Sequence, residues 1–143
     1  MSTWKTIVVG VDGSPSSRTA LKWASAEAVD HRADLVVINV WEHTLPPPAG
    51  SVSVSEHYVP EPSQRTPDDL VKIIKDVLGE DPPVLVKPHV KQGNPAKILI
   101  EQSETADLLV VGTRGHGGFG GLVLGSVSQH VAAYAKCPVA VIR

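Results

Sequence analysis

The residues best suited to bind a ligand lie in a glycine-rich stretch, residues 112–126, that reads GTRGHGGFGGLVLGS. It holds more than half of the chain's twelve glycines. Glycine lets backbone N–H groups approach an anion without an intervening side chain, and a helix start adds unpaired donors and a favourable dipole. The stretch therefore predicts an anion site in two parts: a turn at Gly112 to Gly115, and a helix start at Gly125 and Ser126.

Three other interpretations of this stretch fit less well. The segment from Gly115 to Gly120 matches G-x-G-x-x-G, but a dinucleotide fingerprint stands in the first strand–helix turn and has an acidic residue about 20 positions later. Here the match follows the fourth predicted strand, and Ala140 occupies that later position. A P-loop needs a lysine after its last glycine, whereas Ser126 follows Gly125. A flexible linker inside a compact domain would still have to return to the sheet.

The elements that would position this stretch alternate along the chain. Predicted helices begin at Ser14-Pro15, Thr66-Pro67 and Asn94-Pro95, where a capping side chain precedes a proline suited to the first helical position, and a fourth runs from Ser126 to Ala135. Short apolar runs predict five strands, at 6–11, 35–41, 84–90, 107–112 and 139–142. This alternation predicts an α/β fold, a three-layer, doubly wound, Rossmann-like sandwich with a parallel sheet. In such sheets ligands bind beyond the carboxyl ends of the strands, which brings in Asp12 and the region around Val40.

The composition limits the class of protein. The chain has 143 residues, is 42% apolar and carries a formal net charge of −2 with interspersed signs, so it has no basic surface typical of nucleic-acid binding. No run approaches the roughly 20 apolar residues of a membrane span, and the lone Cys137 cannot form an internal disulfide. We expect one cytoplasmic domain over residues 1–143, with a mobile loop at 43–65, where five prolines occur without a periodic pattern.

The glycine spacing resembles that of a known family. Gly112-x-x-Gly115, nine residues, then Gly125-Ser126 is similar to the G-2x-G-9x-G-[ST] signature of the ATP-binding branch of the universal stress protein family. The similarity extends over nearly the whole chain and includes KTIVVGVDGSPSS and the closing CPVAVIR. It implies a five-stranded parallel sheet flanked by four helices, of the adenine nucleotide alpha hydrolase-like type. It also implies ATP as ligand and a homodimer.

The resemblance also implies roles for individual residues. Gly112, Gly115, Gly125 and Ser126 would hold the phosphates and ribose. Asp12 would meet ribose hydroxyls or a Mg²⁺ ion, while Gly10 and the backbone at Val40 would lie near the nucleobase. The same loop and helix start contribute Thr113, Arg114, His116, Gly117, Gly118, Val127 and Ser128.

Several residues have a structural alternative. Asp12 could cap the turn before Ser14, and Arg114 could form only a surface ion pair. No Ser or Cys nucleophile pairs recognisably with His116, which favours a solvated loop histidine. Cys137 is typical of a packed small hydrophobic residue.

The functional expectation is a nucleotide-dependent stress-response module with at most weak ATPase activity. Slow Mg²⁺-dependent ATP hydrolysis at Asp12, binding of another adenine nucleotide such as cyclic AMP, and a pure interaction module are the alternatives. We also expect the apolar last strand, Val139 to Ile142, to lie at a sheet edge and pair with a second copy, with an unidentified regulatory protein as a further partner. Nucleic acid and membrane are not expected as partners.

Overall fold

The computed structural model describes residues 3–41, 67–113 and 125–143. The predicted loop at 43–65, Thr66 and residues 114–124 of the glycine-rich stretch lie outside the described residues. The elements in chain order are β1 (Thr6–Gly10), α1 (Pro15–His31), β2 (Asp34–Trp41), α2 (Pro67–Leu78), β3 (Val86–Gln92), α3 (Pro95–Ser103), β4 (Leu108–Gly112), α4 (Ser126–Tyr134) and β5 (Val139–Ile142).

The strands form one parallel sheet in the order β3-β2-β1-β4-β5. The chain builds outwards from β1 through β2 to β3, then crosses back to the other side of β1 for β4 and β5. The strand order therefore reverses between β1 and β4, where open α/β sheets bind ligands. This architecture confirms the predicted five-stranded doubly wound sandwich, and β5 is an edge strand as expected.

Two apolar layers hold the helices on opposite faces of the sheet. On one face Ile7, Val9 and Val37 pack with buried side chains of α1 and α2 such as Leu21 and Leu70. On the other face Val8, Ile38 and Leu109 pack with Leu99 of α3 and Val131 of α4. Neighbouring residues of one strand thus enter different cores, which explains why the inner strands are apolar without alternation.

Helix starts follow the predicted capping chemistry where the structure describes them. The Ser14 hydroxyl accepts a hydrogen bond from the Ser17 N–H at 3.3 Å, and Asn94 Oδ1 accepts one from the Lys97 N–H at 3.0 Å. Proline occupies the first turn of both helices. α2 also begins at its proline, Pro67, with two aspartates in the first turn.

The predicted bounds of the third strand were wrong by two residues. β3 starts at Val86 rather than at residue 84 and continues to Gln92, opposite Trp41 of β2. The register with β2 sets these limits, and the chain then turns at Gly93, whose φ is 145°. Pro88 is tolerated because β3 is an edge strand, pairing with β2 alone among the described strands. The other predicted bounds differ by one residue at most.

Candidate functional site

A cleft of about 110 Å³ opens at the carboxyl ends of β1, β2 and β4, beside the point where the strand order reverses. The starts of α1, α3 and α4 surround it. Its lining residues are Gly10, Val11, Asp12, Ser17, Ile38, Val40, Pro95, Leu99, Val111, Gly112, Val127 and Ser128. The position agrees with the general rule for doubly wound sheets.

Most of the cleft surface is apolar. Ile38 and Val111 come from strand ends, Leu99 from α3 and Val127 from α4, and Ile38, Val111 and Leu99 belong to the buried core on the α3/α4 face. A flat, weakly polar group such as a heterocyclic base suits such a surface, because contact removes apolar area from water on both sides.

Asp12 forms the polar side of the cleft, in a turn between β1 and α1. Its Oδ1 accepts a hydrogen bond from the Ser14 N–H at 2.8 Å, and its own N–H donates to the Ser17 hydroxyl at 3.3 Å. Gly13 has a φ of 87°, which an L side chain rarely adopts. The turn-capping interpretation of Asp12 is thus confirmed, and it is compatible with a ligand because an ionised carboxylate has about four acceptor sites.

Three hydrogen bonds hold the ends of the glycine-rich stretch, two of them joining the ends to each other and one joining Thr113 to β5. The Gly125 N–H donates to the Thr113 carbonyl at 2.7 Å, and the Thr113 N–H donates to the Ile142 carbonyl of β5 at 2.9 Å. The buried Ser128 hydroxyl donates to the Gly112 carbonyl at 2.6 Å. The N–H groups of Gly125 and Thr113 are therefore engaged within the protein, so neither is offered to an anion in this conformation.

Among the residues that the structure describes, none supplies a capping side chain to the start of α4. Its N-cap is Gly125, which makes no side-chain hydrogen bond to the first turn, unlike Ser14 of α1 and Asn94 of α3. The first-turn N–H groups of α4 lie beside the cleft through Val127 and Ser128. Ser126 is exposed and lines a neighbouring groove of about 550 Å³ between α3 and α4, together with Lys97 and His130.

Two glycines of the cleft have packing reasons for their residue type. A Cβ atom at Gly112 would lie 2.7 Å from Ser16 Oγ and 2.8 Å from the Ser16 carbonyl carbon, so β4 meets α1 too closely for a side chain. A Cβ at Gly10 would lie 3.1 Å from Leu99 Cδ1. Both positions therefore bring backbone close to a neighbour.

The structure brings together part of the predicted site. Gly10, Asp12, Val40, Gly112, Val127 and Ser128 line the cleft, Ser126 lines the adjoining groove, and Thr113 and Gly125 pair at the neck of the loop. Arg114, Gly115, His116, Gly117 and Gly118 lie outside the described residues. Sequence reasoning missed Val11, Ser17, Ile38, Pro95, Leu99 and Val111. Pro95 could have been predicted, because the rule that ligands bind at the carboxyl ends of strands also applies to the turn after β3.

Cys137 is half-buried against the core on the α3/α4 face, and its Sγ lies 3.4 Å from the Pro138 carbonyl. Burial and the nearby Asp107 charge raise the pKa of this thiol, which disfavours the thiolate. Packing is thus its described role. Across residues 3–41, 67–113 and 125–143, no group of three His, Cys, Asp or Glu could hold a metal ion, and no helix is long and apolar enough to cross a membrane.

The fold and the cleft define a doubly wound α/β domain with a cleft at its topological switch point. The model of the universal stress protein family matches residues 3–143, and the chain belongs to this family.

Known relatives agree with this assignment. A universal stress protein of Thermus aquaticus is 35% identical over 142 residues, which cover 98% of this chain and 99% of that protein. A universal stress protein of Mycolicibacterium smegmatis is 34% identical over 139 residues, covering 96% of this chain but 47% of that protein. The chain thus spans about half the length of several of its curated relatives.

Solved structures share the fold. Universal stress protein UspA from Lactobacillus plantarum superimposes with a TM-score of 0.78 at 25% identity, with complete coverage of both chains. A universal stress protein in complex with cAMP has a TM-score of 0.66 at 26% identity, covering 99% of this chain and 98% of that one.

Proposed function

We propose that this chain binds ATP in the cleft at the carboxyl ends of β1, β2 and β4, and acts as a nucleotide-dependent regulatory module in a stress response. The observation that carries the proposal is the juxtaposition of an apolar cleft with the start of α4, which no side chain in the described ranges caps. An apolar surface beside a helix start matches a ligand with a flat base at one end and negative charge at the other.

Each part of the nucleotide then has a counterpart. The base lies against Ile38, Val40 and Leu99, where the cleft is apolar. Ribose hydroxyls donate to the Asp12 carboxylate, which keeps its bond to Ser14. Phosphate oxygens accept from the first turn of α4, at Ser126 to Ser128, and residues 114–118 stay predicted phosphate contacts. The bonded N–H groups of Gly125 and Thr113 shape the loop in this proposal instead of contacting phosphate.

Mg²⁺ fits this site only as an ion carried by the phosphates. Mg²⁺ is commonly held by one or two carboxylates plus substrate phosphates, and Asp12 is the carboxylate that lines the cleft. Bound there, the ion would neutralise phosphate charge next to Asp12. Slow ATP hydrolysis stays an alternative prediction, tested by comparing ADP release from the wild type and Asp12→Asn at equal ATP saturation.

Cyclic AMP is the second candidate ligand, because a family member at 26% identity is known in complex with cAMP. The base would occupy the same apolar surface. The two ligands differ in charge, so an ATP site should depend on Mg²⁺ and on the start of α4 far more than a cyclic AMP site.

Filling the cleft tests the proposal. Val40 is half-buried at the end of β2 and lines the cleft. In Val40→Trp the indole should occupy the space of the base and weaken ATP binding at least roughly tenfold, measured by isothermal titration calorimetry with and without Mg²⁺. Cyclic AMP and GTP, titrated in parallel, establish which nucleotide the site prefers.

Val29→Trp is the matched control, since Val29 is 43% exposed on α1 and does not line the cleft. It should bind ATP as the wild type does. Equal ATP affinity in Val40→Trp and Val29→Trp, or no nucleotide binding by the wild type, would refute the proposed function.

A further inference from the structure

Asn39 has a buried polar side chain near the carboxyl end of β2. Its neighbours from Leu35 to Val40 are otherwise apolar, and the Asn39 residue is 1% exposed. Ile38 and Val40, on either side of it, line the cleft on the opposite face of the sheet. Asn39 therefore lies directly beneath the wall of the proposed nucleotide site.

The Asn39 amide holds the carbonyl of Val11, the residue between the end of β1 and Asp12. The register of β1 with β2 ends at Gly10 opposite Ile38, and the Val11 N–H donates to the Ile38 carbonyl at 2.8 Å. The next carbonyl, that of Val11, accepts a hydrogen bond from Asn39 Nδ2 at 2.7 Å. A side chain thus continues the pairing of the two strands at the point where the chain turns away to Asp12.

Burying the other polar atom of the Asn39 amide, its oxygen, carries an energetic penalty. Asn39 Oδ1 is buried and accepts no hydrogen bond from any residue in the described ranges. A buried carbonyl without a donor is unfavourable, and an aliphatic side chain of similar size would avoid it. The amide donor is the part of Asn39 that offsets this penalty, and its acceptor is one peptide unit from Asp12.

We propose that Asn39 is a positioning residue for the ligand carboxylate: by holding the Val11 carbonyl it fixes the turn in which Asp12 faces the nucleotide. The inference rests on the proposed function and adds a residue that does not line the cleft. Ser14 and Ser17 hold the turn from α1, and Asn39 holds it from β2. Without the amide donor the Val11 carbonyl is no longer held. The Asp12 carboxylate then adopts orientations in which it does not contact the nucleotide.

The test removes the donor with Asn39→Leu, using Val37→Ala as the matched control. Val37 is fully buried on the same face of β2, two residues further from the cleft, so its truncation lowers stability without touching the turn. At a temperature where both variants are folded, Asn39→Leu should weaken ATP binding roughly tenfold and Val37→Ala should leave it unchanged. Equal affinity in the two variants overturns the proposal.

A double-mutant cycle shows whether Asn39 acts through Asp12. Asp12→Asn keeps an oxygen that can accept from the Ser14 N–H but loses the charge. In that background Asn39→Leu should cause no further loss of ATP affinity. If the two losses simply multiply, Asn39 does not work through Asp12 and the proposal is wrong.

Hydrogen exchange separates this inference from the proposed function. If the wild type binds no nucleotide, the proposed function fails, but the turn can still be observed in the ligand-free protein through the amides of Asp12 and Ser14. Their exchange should be at least roughly tenfold faster in Asn39→Leu than in Val37→Ala, measured relative to the core amides of each variant. Equal exchange at these two amides overturns the positioning role whatever the ligand is.

Discussion

Gly112 lies where β4 passes the first turn of α1, and this contact explains its residue type without a ligand. The sequence predicted Gly112 as a phosphate contact from its spacing to Gly115 and Gly125. The closeness of Ser16 could not be predicted, because the two residues are far apart in the chain and meet only through the sheet. A glycine in a binding motif can thus be required by packing and by the ligand at once.

The two glycines of the cleft should respond differently to alanine. Gly112→Ala places a Cβ against the backbone of Ser16, which cannot move without shifting α1, and should lower the free energy of unfolding by about 1–3 kcal/mol. Gly10→Ala meets the flexible end of the Leu99 side chain and should cost less than about 1 kcal/mol. Urea denaturation of both variants measures this, and a larger loss for Gly10→Ala would contradict the packing account.

The turn-capping role of Asp12 could be predicted from the sequence, and its ligand role stays a prediction. The sequence offered two roles for it, capping the turn or facing a ligand, and the structure places it where both are possible. Local chemistry was enough here, because Asp12, Gly13 and Ser14 are consecutive. Asn39 could not be predicted, since its significance depends on a contact with Val11 across two strands.

At the scale of elements, patterns within one segment predicted the helix starts, whereas the limits that a neighbouring strand sets for β3 could not be derived from its own segment. Serine or asparagine before proline predicted the starts of α1 and α3, because a cap needs only the residues of the first turn. The bounds of β3 were missed because its pairing with β2 sets them. The three hydrogen bonds that hold the ends of the glycine-rich stretch likewise join residues that are far apart in the chain.

The starts of β1 and β4 are joined by Asp107, and this link should depend on pH. Asp107 Oδ2 accepts hydrogen bonds from the Lys5 N–H at 2.7 Å and the Thr6 N–H at 3.0 Å, and these bonds lower the pKa of the carboxyl below its ordinary value of 3.8. Because the folded protein binds the proton less tightly than the unfolded chain, the stabilisation is present above that ordinary value. It is lost as the pH falls through the lowered pKa.

Asp107→Asn should therefore make the free energy of unfolding less dependent on pH in the acid range. Its free energy of unfolding should fall less than that of the wild type between about pH 5 and about pH 2, measured by urea denaturation. Lys87 bonds Asp34 on the surface, so Asp34→Asn is a control carboxylate with a different partner. The same acid loss in Asp107→Asn as in the wild type would show that the ionisation of Asp107 contributes nothing to the pH dependence of stability.

At the scale of the whole molecule, β5 is the edge at which we propose that two copies pair. All four of its residues are half-buried, and it pairs with β4 alone among the described strands. The Leu109 N–H donates to the Pro138 carbonyl and the Thr113 N–H to the Ile142 carbonyl. In a parallel ladder this alternation directs the N–H of Val141 away from β4, towards the open edge.

Val141→Pro should thus abolish pairing without breaking the sheet. It removes an outward donor and leaves the bonds to β4 in place, as edge strands allow. Sedimentation velocity should show a dimer for the wild type and a monomer for the variant, with unchanged circular dichroism. A wild-type monomer at tens of micromolar, or a dimeric variant, would contradict edge pairing.

The family is established, and the chain spans about half the length of several relatives. ATP binding in the cleft is therefore the central claim for this chain. Its most direct test is the map of backbone amide chemical-shift changes on titrating the wild type with ATP and Mg²⁺. Binding in the cleft predicts saturable changes at Gly10, Asp12, Val40 and Val127, and none at Trp4 or Asp107, which lie at the opposite, amino ends of the strands. No saturable change, or changes centred away from the cleft, would contradict it.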